Sequence, residues 1–560
     1  MPVRRRYGDV LRCLMVSIAV LCHSTLISAA QGKPDCAVFV TNYMQRGLPS
    51  TLPQEGPKCL SIFASPGEYE PCTFSIRANE DMRKVSVAVS DPKFGSAVIS
   101  GSNIVVRKVE VSDYTAASGK HVIAESYLPR FNSVDIPKDT TQRFWLTIHT
   151  PESAAPGVYT GKVTLKLDGK PFDALDLRLE VLPVKLLDPR DISFFMYNTV
   201  GFEPLFARNL EYQRKCFLDM KAHGMNSATA YMWPAKRADG SVDLRKQHNL
   251  DGLPAIPQME TMLDTGLIAP GRPVLWIGAA EYGDLATYEA VYAEAKKRNW
   301  PEIIFYVVDE PVTKPQQERA IEILGKIAEF KKSHPDLRIR TATAINGVAI
   351  REVGNHYDIW ICVMGDVSSF VDRARRLGKE LWCYECTLGV VDAATARYCY
   401  GFLAWRTGVK GASFWAYADV PGAYGSNIWD SSRNTGLAVQ SFVRPTPGEP
   451  VPSIGWEACR EGVDDYRYLT TLRAAIAEAF AAGRNREALA AQRVLDDFTS
   501  RINIDNYTKS FLAACKGEEN QSTDSYIFNR PPPEPDITAE GWNEMRYQLA
   551  KETVKLDLPM

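Results

Sequence analysis

The sequence predicts a protein of several domains, in which an N-terminal antiparallel β-sandwich precedes a central (β/α)8 barrel and a C-terminal helical segment. Three observations lead to this prediction. Short alternating segments fill the first third of the chain, eight apolar runs alternate with helical stretches in the middle, and helical apolar spacing follows. With 560 residues, the chain has room for two or three domains. We place the sandwich at residues 36–187, the barrel at 188–452 and the helical region at 453–560.

The first thirty residues are set apart as a secretory signal peptide. Four arginines precede an apolar run at residues 14–21, and small residues follow at 28–30. This run is shorter than the length that a membrane-spanning helix needs. A signal anchor that is retained in the protein is the alternative. We therefore expect cleavage near Ala30 and an exported protein without stable membrane insertion, located in the periplasm, outside the cell or at its surface.

The charge balance and the spacing of Cys and His exclude several function classes. The chain carries 65 Lys and Arg against 67 Asp and Glu, so no basic excess supports nucleic-acid binding. The seven His residues form no HExxH motif, and Cys383-Tyr-Glu-Cys386 lacks a second ligand pair at metal spacing. No glycine-rich phosphate-binding motif follows an early strand. We expect no nucleic-acid partner, no metal and no cofactor.

The sandwich prediction rests on period-2 alternation of apolar and polar residues, because successive side chains of a strand point to opposite faces. Gly and Pro separate the alternating segments, as is typical of antiparallel sheets. These segments are residues 84–90, 104–111, 143–149, 158–166 and 175–181.

The barrel prediction rests on eight apolar runs, each followed by a helical stretch or a long loop. Such runs are typical of parallel strands that are buried on both faces. An open doubly wound sheet is the alternative. The eight runs are residues 192–197, 227–231, 274–278, 303–308, 339–343, 359–363, 381–384 and 412–416.

Beyond the barrel, helical apolar spacing predicts helices at residues 456–482, 484–501 and 542–554. The first of these contains a charged cluster whose members have helical spacing for ion pairs. We interpret the cluster as structural because it lies beyond the barrel; it comprises Arg460, Glu461, Asp464 and Asp465.

The fourth apolar run ends in two adjacent carboxylates, Asp309 and Glu310, followed by Pro311. The carboxyl ends of barrel strands form the active site in this fold. We expect Pro311 to hold Glu310 extended and to end the strand, so that both carboxylates turn toward the barrel mouth. Two like charges held together raise the pKa of one of them, which suits acid and base roles in glycoside cleavage. The alternative is that both are solvated carboxylates that cap the next helix.

Aromatic and polar residues also close the other strands. Aromatic faces stack on sugar rings, whereas carboxylates and amides hydrogen-bond sugar hydroxyls, so their recurrence at one end predicts a carbohydrate-binding site. Ordinary packing explains any one of them alone. The candidates for substrate binding are Tyr197, Tyr231, Trp233, Glu281, Asn346, Tyr384, Glu385, Trp415 and Tyr417.

The segment Tyr306-Val-Val-Asp-Glu-Pro311 resembles the paired-acid motif of glycoside hydrolase family 123, the exo-acting β-N-acetylgalactosaminidases. Residues 455–469 resemble the signature at the end of that family's catalytic region, and residues 144–161 resemble its accessory domain. The resemblance extends over about residues 36–480 and is shared with a wider group of uncharacterised relatives.

The resemblance implies an exo-acting hydrolase of terminal β-linked 2-acetamido-2-deoxy sugars, with N-acetylgalactosamine favoured. It makes Glu310 the general acid/base and Asp309 the residue that orients and polarises the acetamido group. The acetamido oxygen then attacks the anomeric carbon, and water opens the oxazoline with retention, so no enzymic nucleophile is needed. A tyrosine hydroxyl that holds the acetamido group is also implied, with Tyr231, Tyr384 and Tyr417 as candidates.

Two alternatives stay open. In the first, Glu310 is the acid/base and Glu385, at the end of the seventh strand, is the nucleophile of a retaining glycosidase for sugars without an acetamido group. An Asn usually precedes the acid in such enzymes, whereas Asp309 stands here. In the second, the chain is a non-catalytic carbohydrate-binding protein.

Overall fold

A computed structural model describes residues 34–115, 121–198, 209–248, 253–278, 282–335, 338–345, 347–385, 392–418, 441–505 and 539–556. The predicted signal peptide lies outside the described residues. Within them, no helix is long and apolar enough to cross a membrane.

Two sheets and a separate hairpin form the N-terminal region. The first sheet has the strand order β1-β3-β11-β7, the second has the order β10-β4-β12-β13-β2 with β5 and β6 at its side, and β8 pairs with β9. The strands are β1 Cys36–Thr41, β2 Cys59–Ala64, β3 Tyr69–Ala78, β4 Met82–Val89, β5 Lys93–Phe94, β6 Ala97–Val98, β7 Ile104–Lys108, β8 Val111–Thr115, β9 His121–Glu125, β10 Val134–Ile136, β11 Thr141–His149, β12 Gly157–Leu167 and β13 Lys170–Val181.

One strand pair departs from the antiparallel expectation. β2 runs parallel to β13, with Leu60 opposite Leu177, and the chain between them passes through strands of both sheets. Alternate residues of the two sheets meet in one apolar cluster, in which Phe74 and Phe144 stack with ring centroids 5.1 Å apart. The period-2 pattern thus places one face of each sheet in a shared core.

Eight parallel strands with the order β14-β23-β22-β21-β20-β19-β18-β15 form a nearly closed barrel. No ladder joins β14 to β15, but the Phe194 carbonyl accepts hydrogen bonds from the N–H groups of Asn226 and Ser227 at 3.0 and 3.1 Å. The strands are β14 Ser193–Met196, β15 Ala228–Met232, β18 Val274–Gly278, β19 Ile303–Tyr306, β20 Arg340–Ala344, β21 Ile359–Val363, β22 Glu380–Glu385 and β23 Gly411–Phe414.

Helices follow the barrel strands. Two short antiparallel strand pairs lie in the connections between these elements. The pairs are β16 Pro234–Lys236 with β17 Val242–Gln247, and β24 Val443–Arg444 with β25 Val451–Pro452. The helices are α1 Leu210–Ala222, α2 Ala255–Asp264, α3 Leu285–Arg298, α4 Lys314–Ser333, α5 Gly347–Glu352, α6 Val371–Arg376, α7 Ala393–Tyr398 and α8 Ala404–Thr407.

Side-chain alternation divides the barrel into an interior and an outer face. On β22, Trp382 and Tyr384 belong to the interior apolar cluster, whereas Cys383 packs in the cluster beneath the helices. The same alternation on β19 directs Ile304 and Tyr306 inward. The position of a residue along its strand therefore decides whether it can reach the barrel mouth.

Three helices end the described chain: α9 Ile454–Ala481, α10 Asn485–Arg501 and α11 Ala539–Lys555. α9 is buried on nearly all sides along its first half, and Ser453 caps its start by accepting from the Trp456 N–H at 3.1 Å. Side chains from the N-terminal sheets, α7, α9 and α11 meet there in what we call the buried ionic cluster: Glu68, Glu70, Arg397, Glu461, Asp465 and Arg546.

Candidate functional site

The paired carboxylates lie in a turn after the fourth barrel strand, which we call the acid turn and define as residues 307–310. β19 ends at Tyr306, and the chain then leaves the sheet. Val308 and Glu310 have positive φ angles of 50° and 40°. Residues other than glycine rarely adopt such angles, and for a β-branched valine the angle is a true outlier. Strain of this kind costs about 1–3 kcal/mol per residue and is concentrated at functional sites.

The left-handed backbone at Glu310 corrects one expectation from the sequence. The prediction that Pro311 keeps Glu310 extended is wrong, because the Val312 N–H donates to the Glu310 carbonyl at 2.7 Å and closes a tight turn around the proline. The strand also ends three residues before Asp309. Both differences free the carboxylates from strand alternation, which would otherwise direct them to opposite faces.

Each acid is bound by a tyrosine of the barrel interior. The Tyr306 hydroxyl donates to Oδ1 of Asp309 and itself accepts from the Ala344 N–H at 3.0 Å. The Tyr384 hydroxyl donates to Oε1 of Glu310 at 2.6 Å. Because both tyrosines are interior residues, both carboxylates point to the barrel mouth. We call these two acids and two tyrosines the acid site.

Tyr197 completes the interior side of the acid site. It is 3% exposed, and its ring lies 6.2 Å from that of Tyr384 and 5.4 Å from that of Trp415, centroid to centroid. Its buried hydroxyl makes no hydrogen bond of good geometry among the described residues, but it interacts with the neighbouring Tyr306 hydroxyl. Burial and then the charges of Asp309 and Glu310 raise the pKa of Tyr197 well above its usual range, so the hydroxyl keeps its proton.

The surroundings of the acid site change the pKa of Asp309. Asp309 and Glu310 both reach solvent, yet the surrounding protein partly desolvates Asp309. This desolvation, together with the charge of Glu310, raises the pKa of Asp309, while the Tyr306 hydroxyl opposes the shift. The pKa of Tyr306 is also raised well above its usual range, first by burial and then by the Asp309 charge.

Other predicted substrate contacts are distributed unevenly. Tyr231 joins the interior cluster, and Trp233 and Trp415 pack against it. The rings of Tyr231 and Trp233 lie 6.3 Å apart, centroid to centroid. Aromatic surface therefore lines the barrel end that carries the acids. Glu281 and Asn346 lie outside the described residues.

Two predicted contacts do not join the acid site. Glu385 is the last residue of β22 and pairs with Phe414, so it lies on the outer face with Cys383, and it is completely buried. Strand alternation places it opposite to Tyr384. This position disfavours Glu385 both as a substrate contact and as the nucleophile of the alternative mechanism.

Tyr417 is the second residue that lies elsewhere. Its hydroxyl donates to Oδ2 of Asp219 on α1 at 2.8 Å, and the Trp456 indole N–H donates to the same oxygen at 2.8 Å. Tyr417 therefore connects the end of the eighth strand to α1 and α9, and its hydroxyl binds Asp219 rather than a group of the acid site.

Tyr306 is the residue of the acid site that the sequence interpretation overlooked as a site member. The signal was present, because Tyr306 stands two positions after the inward-facing Ile304 on the same strand. Within the described residues, no group of His, Cys, Asp and Glu side chains is arranged to hold a metal ion. The site thus offers two carboxyls, tyrosine hydroxyls and aromatic faces.

Comparison with known proteins agrees with this architecture. Residues 55–167 match the family model described as the glycoside hydrolase 123 N-terminal domain. No curated protein matches the sequence. Among solved structures, a family 123 glycoside hydrolase from Clostridium perfringens, studied for glycolipid glycan hydrolysis, aligns with a TM-score of 0.65 at 12% identity. The alignment covers 93% of this chain and 99% of that one.

Two further structures align with much lower similarity. A family 39 glycoside hydrolase from Bacteroides cellulosilyticus aligns with a TM-score of 0.33 at 12% identity over 68% of this chain and 81% of that one. A Bacteroides ovatus GH5 xyloglucanase reaches 0.32 at 9% identity over 76% and 100%. The match at residues 55–167 and the shared fold confirm the resemblance of this chain to glycoside hydrolase family 123.

Proposed function

We propose that this chain is an exported, exo-acting glycoside hydrolase that cleaves terminal β-linked 2-acetamido-2-deoxy sugars, with N-acetylgalactosamine favoured. The observation that carries the proposal is the acid site. Asp309 and Glu310 are neighbours in sequence, and two interior tyrosines hold both carboxylates at one end of the barrel. The match to the family 123 N-terminal domain supports a glycosidase.

In the proposed reaction, Glu310 gives its proton to the glycosidic oxygen and later takes one from water. The Asp309 carboxylate accepts a hydrogen bond from the acetamido N–H of the substrate. This hydrogen bond orients the acetamido oxygen for attack on the anomeric carbon. An oxazoline forms as the leaving group departs, and its hydrolysis gives retention. A nucleophile held within the substrate gains the advantage of proximity.

The arrangement around the pair favours this reaction over the Glu310/Glu385 alternative. A retaining glycosidase with an enzymic nucleophile needs its second carboxylate about 5–5.5 Å from the first. Glu385 lies on the outer face of β22, whereas Tyr384 beside it reaches Glu310. A single adjacent pair is sufficient only when the substrate supplies its own nucleophile.

The Tyr197 hydroxyl is the best candidate to hold the acetamido group. It keeps its proton and donates to neither carboxyl in the described structure, where its neighbour is the Tyr306 hydroxyl, whereas Tyr384 already donates to Glu310. Tyr417 is bound to Asp219. This selection differs from the three candidates that the family resemblance suggested.

The decisive experiment compares hydrolysis of 4-nitrophenyl β-glycosides with and without the 2-acetamido group, in the galacto and gluco series. We expect turnover only of the acetamido sugars, inhibition by a thiazoline analogue of the oxazoline, and severe loss of activity in Asp309→Asn. Turnover of sugars without the acetamido group, abolished by Glu385→Ala, would establish the alternative mechanism. Sugar binding without any turnover would make the chain a carbohydrate-binding protein.

A further inference from the structure

The acid turn has a backbone conformation that its own sequence does not favour. Val308 and Glu310 both have positive φ, and neither is glycine. Such a conformation persists only where the surrounding structure fixes it. The question is therefore which groups outside the turn hold residues 307–310 in place.

Two buried hydroxyl groups bind the carbonyls of the turn. Oγ1 of Thr343 on β20 donates to the Val308 carbonyl at 2.6 Å, with the Ala344 carbonyl a second acceptor at 3.1 Å. The Tyr357 hydroxyl donates to the Val307 carbonyl at 2.8 Å. Thr343 and Tyr357 are both 0% exposed, so no water replaces these donors if they are removed.

We propose that Thr343 and Tyr357 are positioning residues, which hold the acid turn in its left-handed conformation and thereby fix the Asp309 and Glu310 carboxyls. Both hydroxyls act on backbone carbonyls, and no hydrogen bond joins either of them to the two carboxyls in the described structure. They affect catalysis only by fixing the backbone of the acid turn. This inference rests on the proposed function, because it assumes that the carboxyls are held in place for hydrolysis.

Loss of either hydroxyl leaves a buried backbone carbonyl without a hydrogen-bond donor. The carbonyl can find another donor only if the backbone of the acid turn moves. A backbone that leaves the positive-φ region at Val308 also redirects the next two side chains. Small displacements of a proton donor relative to the glycosidic oxygen reduce the rate without reducing ground-state binding.

The test uses Thr343→Val, which preserves shape and removes the hydroxyl, with Thr343→Ser as the rescue variant. Thr341→Val is the matched control. Thr341 lies two residues earlier on the same face of β20, is 1% exposed, and donates its hydroxyl to Asp358 at 3.2 Å rather than to the acid turn. All variants are first checked for cooperative thermal unfolding.

With 4-nitrophenyl 2-acetamido-2-deoxy-β-galactoside, we expect Thr343→Val to lower kcat by about 10- to 100-fold with little change in KM. Thr343→Ser restores most of kcat, Tyr357→Phe also lowers kcat, and Thr341→Val behaves like the wild type. A wild-type kcat in Thr343→Val, or an equal loss in Thr341→Val, would overturn the proposal.

A second readout separates this proposal from the proposed function. If the wild-type protein hydrolyses no acetamido glycoside, the proposed function fails. Hydrogen–deuterium exchange of a peptide spanning residues 307–318 then still tests whether the Thr343 hydroxyl holds the acid turn. We expect faster exchange of the acid turn in Thr343→Val than in the wild type and in Thr341→Val. Equal exchange in all three proteins would show that the hydroxyl does not hold the turn.

Discussion

The acid site and the buried ionic cluster both hold acidic side chains close together, and their partners differ. In the acid site, Asp309 and Glu310 are bound by neutral tyrosine hydroxyls and reach solvent. In the buried ionic cluster, Arg546 contacts Glu70, Glu461 and Asp465 at 2.7–2.9 Å and is 1% exposed. Hydroxyl groups therefore bind the carboxyls of the acid site, whereas guanidinium groups bind those of the buried ionic cluster.

The difference in partners indicates a difference in purpose. A guanidinium group favours the charged carboxylate and resists protonation of its partner, whereas a hydroxyl leaves proton exchange available. Arg397 binds both oxygens of Asp465, at 2.7 and 2.9 Å, and Asp465 is 1% exposed, so no substrate reaches this carboxylate. The cluster connects α7, α9 and α11. Of the four residues interpreted as structural from the sequence, it contains Glu461 and Asp465, whereas Arg460 pairs with Glu457 and Asp464 pairs with Arg467. The Asp309 and Glu310 carboxyls, by contrast, are open to solvent, so a substrate can reach them.

The largest expected effect comes from Glu310→Gln. Because the amide cannot donate an acidic proton, we expect kcat/KM on the acetamido glycoside to fall by about 10²–10⁴-fold. The unfolding temperature is expected to stay close to that of the wild type, since Glu310 reaches solvent. Steady-state kinetics and thermal unfolding measure the two quantities. A large loss of stability would mean that Glu310 is structural and would remove the contrast between the two regions.

Arg546→Met tests the opposite side of the comparison. Removal of the guanidinium leaves the carboxylates of Glu70, Glu461 and Asp465 buried without this partner, which is expected to cost about 3–5 kcal/mol of unfolding free energy. Chemical denaturation measures the change, and kcat of the folded protein should be unaffected.

The matched control is Arg375→Met, which removes a surface arginine. Arg375 pairs with Asp372 at 2.9 Å, and both side chains are about three-quarters exposed. Such pairs contribute about 0–1 kcal/mol. If Arg546→Met lowered the unfolding free energy no more than this control, the burial of the cluster would not increase its contribution to stability.

Tyr306→Phe is expected to have a smaller effect, visible as a change in pH dependence. The Tyr306 hydroxyl lowers the pKa of Asp309, so its removal raises that pKa further. If ionised Asp309 is the active form, the acidic limb of the kcat/KM profile moves to higher pH, by about one unit for one charge-assisted hydrogen bond.

Tyr417→Phe is the control for this shift. It removes a hydroxyl from another carboxylate, Asp219, which lies outside the acid site. An unchanged profile in Tyr306→Phe, or an equal shift in Tyr417→Phe, would contradict the assigned role of the hydrogen bond. The measurement is kcat/KM between pH 4 and pH 8.

The buried ionic cluster also predicts a pH dependence of stability. Burial raises the pKa of Glu68 to about 8 and that of Glu461 to about 7, against an ordinary value of 4.5. Between these values the folded state binds more protons than the unfolded state, so unfolding free energy falls as pH rises from about 4.5 to 8. The charged groups that face these two carboxyls are Asp464, Arg546, Arg397 and Arg460, together with each other.

Unfolding in urea at pH 5 and pH 8 measures this effect. We expect the lower free energy at pH 8 and a weaker dependence in Glu461→Gln, whose amide does not titrate. Stability that rises toward pH 8 would show that the arginines keep these acids charged. The cluster would then behave as a set of ordinary ion pairs.

Much of the fold was accessible from the sequence. All eight predicted barrel runs overlap the observed strands, because buried parallel strands need continuous apolar segments of limited length. The location of Asp309 and Glu310 at the carboxyl end of the fourth strand follows from the same pattern. Less accessible was the parallel pairing of β2 with β13, since local alternation is identical in parallel and antiparallel strands.

The faces of individual residues required exact strand bounds. Glu385 was expected beyond the seventh strand, but β22 includes it, and a shift of one residue reverses the face on which a side chain lies. Likewise, Tyr417 and Trp415 are two residues apart, yet only Trp415 packs against the barrel interior.

The sequence by itself determined the order of the elements and the adjacency of the two acids, because both depend on local pattern. The tertiary structure decided which partners those acids receive. Tyr384 reaches Glu310 across 74 residues, and Arg546 reaches Glu70 across 476. Contacts over such separations depend on how distant strands and helices pack, and on backbone angles such as those of the acid turn, which no local pattern specifies.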